Sequence, residues 1–183
     1  TPEWQGRLEE GCAQAGEGGS APEGQVPKAC AEDFLRAYNE GFMADPEGNF
    51  LHRPYAWAAL LWAGYSPGES SAFTDGVASR RRGADIGAVV EVGALETPGW
   101  MRLNPPMVAL LQAFEATGFE VWLVSASAQP LVEAMGARVG VPRERVIGVR
   151  LKADDSGRLL PELAQGPSPC PEGGVMTWRQ GKA

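Results

Sequence analysis

The sequence predicts an α/β protein, a parallel sheet with flanking helices, preceded by a mainly helical half. Three observations carry that prediction. From residue 105 onward, helical and extended patterns alternate with loops of only a few residues, the way parallel strands are joined. The run "FEVWLVS" is apolar and rich in β-formers, as suits a strand covered on both faces. Before residue 74 the apolar side chains follow helical spacing instead.

Residues 1–100 are expected to form the helical region and 101–183 part of the α/β core. Residues 13–28, "AQAGEGGSAPEGQVPK", hold Gly, Pro and Glu with little that can pack, and read as a flexible loop. In "ACAEDFLRAYNEGF" the side chains of Phe34, Leu35, Tyr38 and Phe42 share one helical face. A second helix is expected from Pro54 to Ala63, stopped by Gly64. In "SPGE" Ser66 stands as cap, Pro67 at the first helical position and Glu69 three after the cap, which predicts a capping box and a short third helix. Residues 76–104, broken by Gly83, Gly87 and Gly93, predict short extended pieces and a connector.

Pro106 opens the next helix, with Met107, Leu110, Leu111 and Phe114 on its apolar face and Gly118 at its end. The strand "FEVWLVS" follows. A helix over 129–139 then carries Leu131, Val132, Met135 and Val139, and "RVIGVRL" predicts the second strand.

Composition excludes several functions. The net charge is −7, and the basic residues are scattered apart from Arg80, Arg81 and Arg82, which read as a solvated turn, so nucleic acid is not an expected partner. No stretch reaches the roughly 18 to 20 apolar residues of a membrane span. The chain opens at Thr1 without a methionine, so the lack of a leader in these residues decides nothing about export. Cys12, Cys30 and Cys170 have no CxxC spacing and no neighbouring histidine, which argues against a zinc site. Either Cys12 pairs with Cys30, leaving Cys170 odd, or all three are free thiols. The single histidine, His52, precedes a helix start and suits a structural or surface role.

The candidate site lies at Ser125. In open parallel sheets ligands bind beyond the carboxyl ends of strands, where helix N-termini present unpaired N–H groups to anions. Ser125 falls at such an end, Ala126 and Ser127 fit the turn, and the next helix begins near Gln129 and Pro130. The competing reading is that Ser127 merely caps that helix, with Ser125 serving local backbone groups. Farther on, Lys182 follows Gly181. Alone, it reads as solvated tail.

Together these features resemble the haloacid dehalogenase superfamily. A strand ending in Ser, a helix, a second strand and a later Gly-Lys pair are its pattern. The run from Asn104 to Leu159 resembles its phosphoserine-phosphatase-like subclass, and "MTWRQGKA" is similar to the lysine motif of bacterial phosphorylcholine-phosphatase-like members. "RPYAWAALLWAGYSPGE" resembles part of their cap.

The resemblance implies a Rossmann-like core with an inserted, mainly helical cap, and a Mg²⁺-dependent phosphomonoesterase working through an aspartyl-phosphate. Ser125 would donate to a phosphate oxygen, and Lys182 would pair with the phosphate and the nucleophilic carboxylate. Such preorganised donors are each worth roughly 3 to 4 kcal/mol in a transition state. The partner would be a small phosphorylated substrate. Phosphocholine fits if Tyr55 and Trp57, in a segment that also holds Trp62 and Tyr65, turn their ring faces to its quaternary ammonium; otherwise these rings form the cap's own core. Glu32, Asp33 and Glu40 are the carboxylates available there. Export to the periplasm is favoured over the cytoplasm.

The departures are equally specific. The family's DxDxT strand has no counterpart: "FTDGVAS" around Asp75 holds one Asp and no apolar strand before it. Its later acidic pair, which helps hold Mg²⁺, is also missing, because Asp154 and Asp155 precede Gly157 in "KADDSGRL" and read as turn residues. The expectation is an incomplete core from a longer parent, inactive by itself, with most Mg²⁺ ligands outside this chain. A catalytically inactive phosphate-binding or interaction module is the alternative, and a plain α/β domain the third.

Overall fold

The structure, a computed structural model, describes residues 12, 28–42 and 58–164. The chain divides into two compact units, Thr1–Pro54 with Ala84–Trp100, and Tyr55–Gly83 with Met101–Ala183.

In the first unit, helix α1 (Lys28–Arg36) runs on into a π-helical turn, Ala37–Phe42. Cys30, buried on this helix, is disulfide-bonded to Cys12, which settles the question of pairing left open by the sequence. A hairpin of β1 (Val89–Val92) and β2 (Leu95–Pro98) pairs Val89 with Pro98 and Val92 with Leu95. Helix α1 packs on it through Glu32, whose carboxylate accepts the Ala94 N–H at 2.8 Å and the Arg36 guanidinium at 2.7 Å.

The second unit opens with helical residues 58–60 and a turn over 61–64. Helix α2 (Pro67–Gly83) starts at the expected capping box: the Ser66 N–H donates to Glu69 Oε2 at 2.8 Å, and the Glu69 N–H donates to Ser66 Oγ at 3.3 Å. It is not short, however, and its last turns occupy residues read from the sequence as extended. Its buried stripe is Ser70, Thr74 and Ala78, small residues that bring it close to the helix after the first parallel strand. Such a stripe carries almost no hydrophobic signal, which is why its length was missed.

Helix α3 (Pro105–Ala116) ends in a Schellman motif. Gly118, at φ 89°, donates to Glu115 O, and the Phe119 N–H reaches Phe114 O, while the two phenylalanine rings meet edge to face at 5.7 Å. This motif takes up Phe119, so the strand starts later than expected: β3 is Leu123–Ala128. Helix α4 (Gln129–Arg138) and strand β4 (Val146–Val149) follow. β3 and β4 pair in parallel, as the alternation of helix and strand predicts. The core between α4 and this sheet is Val132, Val141 and Val146, with Leu123 and Val139 against it. A final hairpin joins β5 (Leu151–Ala153) to β6 (Leu159–Leu163).

Two expectations of burial are corrected. No residue of α3 is buried, and its apolar side chains Met107, Leu110 and Phe114 stay exposed. β3 is covered on one face only, since Val124 is exposed, as is Trp122 just before it. Among the described residues its sheet has two strands.

Candidate functional site

Ser125 does not end its strand. The ladder sets Val124 opposite Ile147 and next Ala128 opposite Val149, so Ser125, Ala126 and Ser127 stand against the single residue Gly148. The small triplet is a bulge, a feature that re-aims side chains next to ligand sites. Gly148 makes the crossing feasible. A Cβ there would lie 2.8 Å from Gln129 Cα and 2.9 Å from both Gln129 N and Ser127 O.

Within the bulge the Ser127 N–H donates to Ser125 Oγ at 3.1 Å. Having accepted that bond, the Ser125 hydroxyl offers its proton as a donor. Ser127 is not the helix cap. The cap position is Ala128, and among the described residues no side chain caps α4, whose first N–H groups have no intrahelical partner. The structure therefore joins a half-buried hydroxyl to an uncapped helix start at the carboxyl end of a parallel strand. Helix starts of this kind are suited to an oxyanion.

Gln129 is the residue that sequence reasoning missed. Its Oε1 accepts the Gly148 N–H at 2.5 Å and Arg150 Nε at 3.3 Å, and its Nε2 donates to Glu133 Oε1 at 2.7 Å and Val146 O at 3.0 Å. The only hint in the sequence is a polar amide at the first helical position where a proline or capping residue would be usual.

The other predicted residues divide. Lys182, Tyr55 and Trp57 lie outside the described residues, as do His52 and Cys170. Trp62 and Tyr65 pack edge to face at 5.7 Å, and Phe73 joins them, so these rings serve one another. Glu32 is held by Ala94 and Arg36. The backbone N–H of Ala94, foremost, and the Arg36 guanidinium lower its pKa from the ordinary 4.5. Asp154 is a turn residue as expected: Oδ1 accepts Ser156 Oγ at 2.6 Å and the Ser156 and Arg158 N–H groups at 2.9 Å, and these bonds hold its pKa down.

A groove of about 880 Å³ lies between α2, α4 and the β5–β6 hairpin, lined by Trp62, Ser70, Gln129 and Glu133 among others. Ser125 is not part of its wall. Among the described residues, no three His, Cys, Asp or Glu side chains converge on a point that would hold a metal ion.

Residues 29–175 match a family model described as haloacid dehalogenase-like hydrolase. Among solved structures the chain is similar to a conserved functionally unknown protein from Anaerococcus prevotii DSM 20548, with a TM-score of 0.55 and 24% identity. The likeness covers 75% of this chain but 39% of that one, so this chain spans less than half its length. No curated protein matches the sequence.

Proposed function

This chain belongs to the haloacid dehalogenase-like hydrolases, and from that membership we propose a phosphomonoester hydrolase of the haloacid dehalogenase type, acting on phosphocholine or another small phosphomonoester. One observation carries the reading: Ser125 sits in a bulge directly before the uncapped start of α4. In the proposed site its hydroxyl donates to one phosphoryl oxygen while the Lys182 ammonium pairs with the same group. Both stabilise the charge that spreads over the phosphoryl oxygens in the transition state. Residues 1–100 supply the cap, and Tyr55 and Trp57 offer ring faces to a quaternary ammonium. Mg²⁺ enters through the family resemblance, its ligands lying outside the described residues. The disulfide between Cys12 and Cys30 supports an oxidising compartment, the periplasm in this reading.

In the family reaction an aspartate attacks phosphorus, the alcohol leaves, and water then releases phosphate from the aspartyl-phosphate. The 183 residues contain no DxDxT motif to supply that aspartate. This favours a second reading, phosphate binding without turnover. Titration calorimetry with tungstate, beside turnover of p-nitrophenyl phosphate, separates the two. Tungstate binding that weakens in Ser125→Ala and in Lys182→Ala supports the site, and binding indifferent to both removes it. Turnover by this chain refutes the inactive module.

A further inference from the structure

We propose that Gln129 is the positioning residue for Ser125: its side-chain amide replaces the strand ladder where β3 bulges, fixing the hydroxyl and the first turn of α4 as one oxyanion seat. The inference rests on the phosphate-binding reading above. Between the Val124–Ile147 pair and the Ala128–Val149 pair, three residues of β3 face one of β4, so regular pairing is interrupted at the segment that carries Ser125. A primary amide is a peptide group without the chain, with one acceptor oxygen and two donors. That of Gln129 receives the Gly148 N–H, 2.5 Å away, on its oxygen and gives a donor to Val146 O, 3.0 Å away, on its nitrogen. It thus bonds β4 at Val146, just before the interruption, and at Gly148, the residue inside it.

The orientation of the amide is settled by its neighbours. Its oxygen meets two donors, Gly148 N–H and Arg150 Nε, and its nitrogen meets two acceptors, Val146 O and Glu133 Oε1. A flipped amide would oppose all four. No carboxylate, ammonium or apolar side chain supplies both halves, and Asn supplies both with one methylene less reach.

The backbone is closed in the same place. Because Gly148 lacks a Cβ, Gln129 Cα and Ser127 O lie directly against β4. The segment from Ser125 to Gln129 is therefore anchored at both ends, by the Val124–Ile147 pair before it and by the Ala128–Val149 pair together with the Gln129 amide after it. Inside, the Ser127 N–H to Ser125 Oγ bond sets the rotamer of the hydroxyl. Without the Gln129 amide the far anchor is left to the Ala128–Val149 pair alone, and the bulge that sets the Ser125 hydroxyl is free to shift. Displacements of this order are known to weaken function by up to a hundredfold.

The test measures tungstate affinity by calorimetry and amide hydrogen exchange residue by residue in the native chain, Ser125→Ala, Gln129→Met and Gln129→Asn. The expected result is that Gln129→Met weakens tungstate about tenfold, with faster exchange at Gly148 and Ser127 and unchanged exchange at Val132 in the core. Gln129→Asn, which keeps the chemistry and disturbs folding least, falls between it and the native chain, and it carries the test if the methionine variant does not fold. Native affinity in the folded variants, with Ser125→Ala weakened, overturns the role of Gln129 and leaves the phosphate reading standing. If the native chain itself does not bind tungstate, the phosphate reading falls and this inference with it.

Discussion

Replacing Gly148 by alanine should disrupt the bulge through backbone crowding alone. The added methyl would lie 2.8 Å from Gln129 Cα, 2.9 Å from Gln129 N and 2.9 Å from Ser127 O, all backbone atoms that cannot rotate away. Overpacking of this kind costs about 1 to 3 kcal/mol, and immovable neighbours place it at the upper end. Displacing the Gly148 N–H from Gln129 Oε1 forfeits about 1 kcal/mol more. Against this, alanine restricts the unfolded chain and returns roughly 0.4 to 1 kcal/mol. The net expectation is a loss of about 3 to 3.5 kcal/mol, which at a urea slope near 2 kcal/mol per molar lowers the midpoint by about 1.5 to 1.8 M. The control is Gly76→Ala inside α2, where the new methyl makes an ordinary 3.6 Å contact with Arg80. It should raise the midpoint, since glycine in a helix interior costs about 0.5 to 1 kcal/mol relative to alanine. A Gly148→Ala protein that unfolds with or after the native chain would refute the reasoning.

Other perturbations test other parts of the fold. Among the described residues the buried Ser70 hydroxyl has no hydrogen-bond partner, so Ser70→Ala should stabilise by about 1 kcal/mol and raise Tm by about 2 to 4 °C; calorimetry showing a lower Tm would contradict this. Val146→Ala, at a fully buried position, should cost about 2 to 3 kcal/mol, whereas Leu110→Gln, at 43% exposure, should change the urea midpoint little. Comparable losses in both would mean that α3 is covered in solution. The pKa values of Glu115, lowered chiefly by the Arg145 guanidinium, and of Glu69, lowered chiefly by the Ser66 N–H, lie below the ordinary 4.5. A depressed carboxyl stabilises the fold fully above its unfolded pKa and loses that contribution as pH falls through its folded one. Urea midpoints should therefore be flat from pH 7 to about 5 and drop below about 4.5, and a midpoint that climbs on acidification would reverse the sign of the argument.

Much of the architecture was legible because its causes are local. The Ser66–Glu69 box, the Gly118 stop and the Asp154 turn each close through hydrogen bonds spanning five residues or fewer, so residue types at fixed short spacing announce them. The parallel pairing of β3 and β4 followed from the length of the helix and loops between them. What hydrophobic periodicity could not convey was the full length of α2, whose buried stripe is Ser70, Thr74 and Ala78, or the exposure of the apolar face of α3. Periodicity identifies a face that can be buried; the neighbouring layers decide whether it is.

The site divides along the same line. By itself the sequence placed a small polar triplet near a strand-to-helix junction and offered Ser125, beside Ser127, as the candidate hydroxyl for an anion. Only the tertiary structure decided that the triplet is a bulge, that Ala128 takes the cap position instead of Ser127, and that Gln129 grips β4 across it. Likewise the pairing of Cys12 with Cys30 had to await the fold. The physical reason is that register, bulging and amide bonding join Gln129 to residues 17 and 19 positions away. Such contacts exist only once two strands and a helix have met.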